Sequence, residues 1–226
     1  MWNGKHKAVT FSYDDGVEQD RRLIKIFNKY GLKGTFNLNS GIMNENGSFK
    51  INGIDIKRIY QNKLTEIYKG HEIAIHTLTH RNLLELDDNV VYQEILNDKI
   101  NLEKTFNTTI NGMAYPYGTF NENIIEIAKK CDIRFARTVA DTHNFMLPEN
   151  LMSFGATCHH NYNKILELIN NFLLYSGETD AVFCIWGHSY EFDIDNNWEH
   201  IEKICDIISG KDDIFYGTNS DVFIKA

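Results

Sequence analysis

The 226-residue sequence is poor in the features that mark membrane proteins and proteins that bind polyanions. Its longest apolar stretch, residues 165–175, is interrupted by polar residues and falls short of the roughly 20 residues that a membrane-spanning helix requires. Lysine and arginine form no run, and 23 of them stand against 31 aspartates and glutamates, which gives a formal charge of -8. This balance repels nucleic acids and anionic lipid surfaces. The sequence therefore predicts no nucleic-acid partner and no membrane span.

Cysteine pairs and a recognisable targeting segment are also missing. The four cysteines are spread along the chain without a CxxC pair, so we expect buried free thiols rather than disulfides or a thiolate metal site. Residues 1–8 carry charge and lead directly into an apolar, strand-like run, which is unlike a secretory signal. Together these features favour a cytoplasmic protein.

Only two prolines occur, and no Pro- or Ser-rich linker divides the chain. Strand-like runs alternate with helical patterns from end to end, which is typical of βα units around a parallel sheet. We expect one domain over residues 1–226 with an α/β fold, in the form of a single distorted (β/α) barrel of about seven strands. A doubly wound open sheet is the alternative, since sequence patterns do not reveal whether a sheet closes.

Hydrophobic periodicity and turn residues place the individual elements. Strands are predicted at 7–14, 34–39, 72–76, 112–115, 134–140, 153–158, 181–186 and 214–217. Helices are predicted at 18–30, 57–68, 89–106, 122–130, 162–175 and 198–209, with a loop or small hairpin at 41–53. No Gly-rich phosphate loop or nucleophile elbow appears, so the chemistry must come from other residues.

Polar side chains concentrate where the predicted strands end, which is where functional groups lie in barrels of this kind. They are Asp14 and Asp15 after the first strand, His76 and His80 after the third, the run 115–118 after the fourth, Arg137 in the fifth and His188 after the seventh. This set combines metal ligands with acid and base groups.

Two of these groups have the spacing of metal ligands. His76 and His80 are four residues apart, so one helical turn would direct both imidazoles at a single point. Asp14 and Asp15 point to opposite sides of an extended chain, so one can reach a metal while the other faces a bound water. Read alone, the Asp-Asp-Gly run is more typical of a turn that caps a helix, and the two histidines after a later strand favour the metal site. A carboxylate with two imidazoles favours Zn²⁺ and is compatible with Fe²⁺, Co²⁺, Ni²⁺ or Mn²⁺.

Four segments occur in the order and approximate spacing of a known enzyme family. They are residues 10–16 (TFSYDDG), 76–80 (HTLTH), 115–118 (YPYG) and 186–188 (WGH). Over about residues 7–188 the chain resembles the polysaccharide deacetylase family, the NodB-homology domain of carbohydrate esterase family four. The resemblance implies a distorted (β/α) barrel and metal-dependent hydrolysis of an N-acetyl group on a sugar.

Carried over position by position, the resemblance also implies roles for single residues. The implied metal ligands are Asp15, His76 and His80. The implied general base is Asp14, the implied general acid is His188, and the implied donor to the oxyanion is the backbone N–H of Tyr117.

The sequence departs from the family in its third and fourth motifs. The third motif usually carries arginine two residues before the proline, where this chain has Ala114. We hypothesise that Arg137, on the next predicted strand, supplies the guanidinium from a neighbouring position. The fourth motif, an Asp/Trp element, has only Asp141 as a candidate.

Other residues have both a functional and a structural interpretation. The candidates for substrate binding are Tyr13, Pro116, Tyr117 and Trp186. Tyrosine rings offer apolar faces to the axial C–H groups of a pyranose, and a fixed proline φ helps to present the N–H that follows it. Trp186 is equally explained by core packing.

Three residues near the chain's later strands are given mainly structural interpretations. His159 and His160 are adjacent and predicted to point apart, which favours surface or loop positions over a second metal site. Glu191, three residues after His188, either orients that imidazole or is a solvated loop acid.

We therefore expect a metal-dependent hydrolase that removes the acetyl group from an N-acetylated sugar or glycan. Two alternatives stay open: a C–N hydrolase of a non-sugar amide or ureide, and a degenerate, non-catalytic carbohydrate-binding protein. The missing motif arginine favours the latter, whereas the presence of an acid, a base and three ligands counts against it. The expected partner is a carbohydrate or small amide substrate, and the sequence does not set the oligomeric state.

Overall fold

A computed structural model describes residues 1–224 as an α/β fold. The strands are β1 (Lys7–Asp14), β2 (Thr35–Leu38), β3 (Phe49–Ile51), β4 (Ile54–Ile56), β5 (Glu72–Ile75), β6 (Gly112–Ala114), β7 (Phe135–Asp141), β8 (Phe154–Ala156), β9 (Cys158–His159), β10 (Ala181–Gly187) and β11 (Ile214–Tyr216). The helices are α1 (Asp20–Lys29), α2 (Leu64–Ile67), α3 (Asp88–Phe106), α4 (Glu122–Lys130), α5 (Ile165–Leu173), α6 (Glu191–Ile194), α7 (Trp198–Ile208) and α8 (Asn219–Phe223).

The main sheet is parallel and follows the order β8-β7-β6-β5-β2-β1-β10-β9, with β11 paired to the start of β1. β3 and β4 form a separate antiparallel hairpin. Because all strands of the main sheet run the same way, their carboxyl ends lie together at one end of the molecule. The predicted α/β class and parallel sheet are confirmed.

The two ends of this sheet are neighbours along the chain. β8 pairs with β7, β9 pairs with β10, and only Thr157 separates β8 from β9. The Thr157 N–H donates to the carbonyl of Cys184 in β10, and the N–H of His143 donates to the carbonyl of Thr157. No ladder joins β8 to β9 among residues 1–224, so the covalent chain rather than a strand pair brings the two edges together.

The first strand is buried along its whole length, as is typical of a parallel strand covered on both faces. Side chains alternate along it, and its odd-numbered members Val9, Phe11 and Tyr13 pack in the large apolar cluster that includes residues of α1, α3 and α7. Ser12, on the other face, is hydrogen-bonded by Arg137 of β7. The inner face of β1 is therefore partly polar, and its last residue is Asp14.

The predicted helix over 57–68 is mostly wrong. Only Leu64–Ile67 is α-helical, after a 3-10 turn at Gln61–Lys63. Residues 57–59 instead pair with the loop after β1: Arg58 bridges to Val17, and the N–H of Ile59 donates to the carbonyl of Gly16. This tertiary pairing overrides the local helical pattern and brings Arg58 into the cleft described below.

All four cysteines are buried and free, as the sequence predicts. Within residues 1–224, no helix has the length and hydropathy needed to cross a membrane. The cytoplasmic location stays a prediction.

Candidate metal and catalytic site

The polar residues predicted at the strand ends converge on one cleft of about 580 Å³. Its lining includes Asp14, the last residue of β1, and five residues that follow β1, β5, β6 and β10 in the chain: Asp15, His76, His80, Tyr117 and His188. A second cavity, of about 490 Å³, lies where β2, β5 and β6 begin and has none of these residues in its lining. The carboxyl-end cleft is therefore the candidate site.

Two imidazoles and one carboxylate lie together in this cleft. The Nε2 atom of His80 is 3.6 Å from Oδ1 of Asp15, and the rings of His76 and His80 have centroids 4.8 Å apart. One ligand atom from each of the three residues lies within 4.8 Å of the others. Two nitrogens and one oxygen, with room for further ligands in an open cleft, fit the donor set of a catalytic zinc site.

The imidazoles of the group are prepared for metal binding. Nδ1 of His76 is 2.8 Å from the carbonyl oxygen of Ala114, an arrangement that holds the proton on Nδ1 and leaves Nε2 as the ligand atom. Burial lowers the pKa of His76 to about 4, and burial also lowers the pKa of His80. Both rings are therefore neutral at pH 7, the form that binds a metal.

The predicted helical turn between the two histidines is wrong. Residues 76–80 follow β5 as an irregular loop in which Thr77 and His80 have φ angles of 63° and 57°. Such left-handed backbone is uncommon for residues other than glycine and is frequent at functional sites. The two rings converge through this strained loop rather than through helical spacing.

Buried acids of α3 hold the histidine loop in place. Asp98 accepts hydrogen bonds from the backbone N–H of His76 at 3.1 Å and of Ser40 at 2.7 Å. Glu94 accepts from both the N–H and the hydroxyl of Thr79, at 2.8 and 2.6 Å. A rigid helix thus fixes the position of the two imidazoles.

Asp15 is fixed by a residue that the sequence did not identify as functional. Its φ of 84° turns the chain sharply after β1, and Arg58 Nη1 lies 3.1 Å from its Oδ1. Burial acts to raise the pKa of Asp15, but Arg58 and nearby imidazoles outweigh burial and lower it. Asp15 is therefore a carboxylate at neutral pH. Arg58 lies in a segment with a helical pattern, so its pairing to the β1 loop had no local signature.

Asp14 is held in a buried ion pair with Arg137. Nη2 of Arg137 is 2.5 Å from both carboxylate oxygens of Asp14, and Asn37 donates to Oδ1 at 2.8 Å. Burial acts to raise the pKa of Asp14, but Arg137 is the main group that outweighs it and lowers the pKa to about 2. The hypothesis that Arg137 places a guanidinium on Asp14 thus agrees with the geometry.

The position of Arg137 explains how Ala114 can stand where the family has arginine. Arg137 of β7 is the direct cross-strand partner of Ala114 of β6. The guanidinium therefore reaches the cleft at the same level of the sheet, from the neighbouring strand. It also lies over the ring of Trp186, 4.7 Å from the ring centroid.

His188 faces Asp14 from the end of β10. Its Nε2 is 4.0 Å from Oδ2 of Asp14, and its Nδ1 is 3.5 Å from Oε1 of Glu191. Burial acts to lower the pKa of His188, but Glu191, Asp15 and Asp14 together raise it to about 9. His188 is therefore an imidazolium at neutral pH. Of the two interpretations of Glu191, the one that places it beside this imidazole agrees with the structure.

Tyr117 lies on the rim with its backbone in a left-handed conformation. Its φ is 59°, its side chain is 62% exposed, and its ring packs edge-on against His80 at 4.8 Å. The turn is closed by hydrogen bonds from the N–H groups of Gly118 and Thr119, whereas the N–H of Tyr117 has no partner among residues 1–224. This N–H is available to a ligand in the cleft.

Three predicted substrate-binding residues do not line the cleft. Tyr13 is fully buried and stacks on His160, so it has no face to offer a sugar. Trp186 is 8% exposed and donates its Nε1–H to Asp141 at 2.7 Å, which favours the packing interpretation. Pro116 is buried beneath the rim. The lining instead contains Phe49, Arg58, Val139 and Tyr190.

His160 lies in a turn, as predicted, but the predictions that it is at the surface and that the side chains of His159 and His160 point apart are wrong. His160 is fully buried, with its ring stacked on Phe192 at 4.2 Å. The rings of His159 and His160 have centroids only 4.4 Å apart, and both residues face Glu191. His159 ends β9 and His160 lies in the turn that follows it, and both side chains face the acid side of the cleft.

Comparisons with known proteins point to one family. The sequence model of the family described as "Polysaccharide deacetylase" matches residues 3–136. A poly-β-1,6-N-acetyl-D-glucosamine N-deacetylase of Staphylococcus aureus is 22% identical over 166 residues, which cover 68% of this chain and 57% of that protein. The chain thus spans little more than half the length of that relative.

Solved structures share the fold over nearly the whole chain. The carbohydrate esterase family four domain of a multidomain xylanase, from the hindgut metagenome of Trinervitermes trinervoides, has a TM-score of 0.64 at 16% identity and covers 98% of this chain and 91% of its own. A family-four pseudoenzyme from Bacillus anthracis has a TM-score of 0.58 at 16% identity, covering 99% of this chain and 66% of its own. At these identities the likeness concerns the fold alone.

Proposed function

The chain belongs to the polysaccharide deacetylase family, and from this premise we propose that it is a metal-dependent hydrolase that removes the acetyl group from an N-acetylated sugar or glycan. The observation that carries the proposal is the grouping of Asp15, His76 and His80 beside Asp14, with His188 opposite. A protein that only binds sugars has no need of a general base and a general acid on either side of a set of metal ligands.

The proposed mechanism assigns one proton movement to each side of the cleft. When held by Asp15, His76 and His80, a divalent metal supplies Lewis acidity that polarises the acetyl carbonyl and acidifies a water. Asp14 accepts the proton of the attacking water, while Arg137 keeps this carboxylate ionised and oriented. His188 donates its proton to the leaving amine as the C–N bond breaks. Acetate and a free amino sugar result.

The rim assists the same reaction. The free N–H of Tyr117 stabilises the oxyanion that forms when water adds to the carbonyl. The rings of Phe49, Tyr117 and Tyr190 in the lining give the cleft apolar faces of the kind that pack against a pyranose. Zn²⁺ is the proposed metal, because two imidazoles and a carboxylate are its usual catalytic ligands.

The decisive experiment measures metal content and acetate release together. The protein is stripped with a chelator, reloaded with one equivalent of Zn²⁺, and assayed on N-acetylglucosamine oligomers and on small non-sugar amides. We expect acetate from the oligomers only, about one bound metal per chain, and loss of acetate release in Asp15→Asn. Asp14→Asn should keep the metal and lose activity by at least about 100-fold.

Each of the other possible results of this experiment would favour a different function or contradict the metal assignment. Cleavage of non-sugar amides alone would favour a C–N hydrolase of another substrate class. A loaded protein that cleaves neither class would contradict the catalytic proposal and favour the non-catalytic alternative, which the fold shared with a pseudoenzyme keeps open. Binding of less than about half an equivalent would contradict the metal assignment, since such sites bind tightly.

A further inference from the structure

A second group of metal-binding side chains lies on the acid side of the cleft. His159 ends β9, His188 follows β10, and Glu191 begins α6. Nε2 of His159 is 3.1 Å from Oε2 of Glu191, and Nδ1 of His188 is 3.5 Å from Oε1 of the same carboxylate. One ligand atom from each residue lies within 4.8 Å of the other two.

The spacing of these atoms suits coordination. Tetrahedral ligands at 2.0–2.1 Å from Zn²⁺ are about 3.3 Å from one another. The two distances run to different oxygens of Glu191 and lie on either side of this value, and both are shorter than the 3.6 Å between His80 and Asp15 in the first group. Two imidazole nitrogens and one carboxylate oxygen are again the donor types that Zn²⁺ prefers.

Unpartnered nitrogens at the same place provide an independent observation. Nδ1 of His188 and both ring nitrogens of the fully buried His160 make no hydrogen bond with acceptable geometry to residues 1–224. The Nε2 atom of His160 is nevertheless 3.2 Å from Glu191. Buried polar atoms without partners are costly, and a cation bound by Nδ1 of His188 would give that atom a partner.

An ion can reach this group from solvent. The side chains of His159, His188 and Glu191 keep 20%, 22% and 24% of their accessible surface. Only His160, behind them, is closed off.

We propose that His159, His188 and Glu191 form a second binding site for a divalent transition metal, with Zn²⁺ as the ion, distinct from the site at Asp15, His76 and His80. Binding requires neutral imidazole, so the ion displaces the proton on Nδ1 of His188. The ring then keeps only the proton on Nε2, which faces Asp14, and a neutral imidazole gives up this proton far less readily than an imidazolium does, so His188 becomes a poor donor to the leaving amine. Occupation of the second site therefore inhibits hydrolysis, a consequence that rests on the proposed function, whereas the binding itself does not.

Metal stoichiometry tests the site without reference to activity. Stripped protein is dialysed against excess Zn²⁺ near pH 7.5, and bound zinc per chain is measured by mass spectrometry. We expect two equivalents in the wild type, one in His159→Gln and one in Asp15→Asn. Glu191→Gln is a second variant that should also bind one, in case His159→Gln folds poorly.

A matched control separates this site from general histidine binding. His6 is exposed and paired with Asp180 at 2.7 Å, away from the cleft. His6→Gln should still bind two equivalents. A wild type that binds only one equivalent, or a His159→Gln variant that folds and still binds two, would overturn the proposal.

Titration with Co²⁺ and an activity assay complete the test. The second equivalent of Co²⁺ should add visible absorption in the wild type and none in His159→Gln. A second equivalent of Zn²⁺ should reduce the rate of deacetylation by the wild type at least tenfold. The rate of His159→Gln should be the same with two equivalents as with one. If the protein loaded with one equivalent of Zn²⁺ is inactive, the proposed function fails. The number of zinc ions bound per chain still shows whether the second site exists. Two bound equivalents without inhibition would contradict the inhibitory role alone.

Discussion

At the scale of single residues, Asp14 and His188 lie 4.0 Å apart with pKa values displaced in opposite directions. Arg137 lowers the pKa of Asp14 to about 2 against the effect of burial, and Glu191 is the first of three acids that raise that of His188 to about 9. Between these values a carboxylate faces an imidazolium. Those are the protonation states that a general base and a general acid require before the reaction begins.

The alkaline limit of activity should depend on Glu191. Activity needs protonated His188, so it falls as the pH rises through the pKa of that imidazole. Glu191→Gln removes a negative charge beside Nδ1, lowers this pKa, and should move the alkaline limb of kcat/KM down by about one pH unit. The profile is measured on protein loaded with one equivalent of Zn²⁺, with the exposed Glu199→Gln as control. An alkaline limb that stays in place would show that Glu191 does not set the pKa of His188.

Arg137 should control the acid limit. Arg137→Lys keeps a positive charge but loses the planar guanidinium, whose Nη2 contacts both oxygens of Asp14 while Nε and Nη1 donate to Ser12 and Thr138. The pKa of Asp14 should therefore rise by about one unit, and the acid limb should move up with it. Arg137→Ala leaves a buried carboxylate unpaired and should destabilise the fold by about 3–5 kcal/mol. Urea unfolding and pH–rate profiles measure the two effects. Wild-type profiles in the lysine variant would argue against a role for Arg137 in holding the base.

The sequence identified Asp14 and His188 as functional because both residues lie at strand ends, where side-chain direction follows from the strand period. It failed for Tyr13, which shares the strand with Asp14 but faces the opposite side and is buried against His160. It also failed for Arg58, whose approach to Asp15 depends on pairing between distant segments. Alternation along a strand is a local property, whereas the pairing of loops is a tertiary one.

At the scale of secondary-structure elements, helix boundaries were predicted well where caps and periodicity agree, as in α4, which begins after the Asn121 cap. The loop between β5 and α3 was the hardest to predict. Its two histidines converge through left-handed residues and the buried acids Glu94 and Asp98 of a helix that follows later in the chain. Hydrophobic periodicity carries no information on such polar anchors.

The stability of the junction between β8 and β9 should depend on the hydroxyl group of Thr157. Thr157 Oγ1 accepts a hydrogen bond from the N–H of Cys184 at 3.0 Å, and the threonine is buried between β8 and β9. Thr157→Val keeps the shape and leaves that N–H unpaired, so it should reduce the free energy of unfolding by about 1–3 kcal/mol. Urea denaturation at constant m value measures the loss. The exposed Thr108→Val is the control, and equal stability of both variants would show that the hydroxyl contributes little.

At the scale of the whole molecule, the parallel sheet brings residues far apart in sequence to one end of the fold. Arg137 reaches Asp14 across 123 positions of the chain, and His188 faces the same carboxylate from β10. The two carboxylates of the cleft lining, Asp14 and Asp15, are each paired with an arginine. A divalent cation at Asp15, His76 and His80 would join the ends of β1 and β5.

Metal binding should consequently stabilise the entire fold and not only the cleft. An ion that binds the native state alone, at 100 times its dissociation constant, adds about 2.7 kcal/mol, which corresponds to about 5–10 °C in Tm for a chain of this size. Scanning calorimetry of stripped protein with and without one equivalent of Zn²⁺ measures the shift. In the His159→Gln background, which removes a ligand of the second site, Asp15→Asn should abolish most of it, whereas Asp14→Asn should preserve it, because only the former removes a ligand atom of the first site. Equal shifts in both variants would mean that zinc is held elsewhere. A shift that disappears only in Asp15→Asn would link the ends of two non-adjacent strands to one ion, with β2 between them in the sheet.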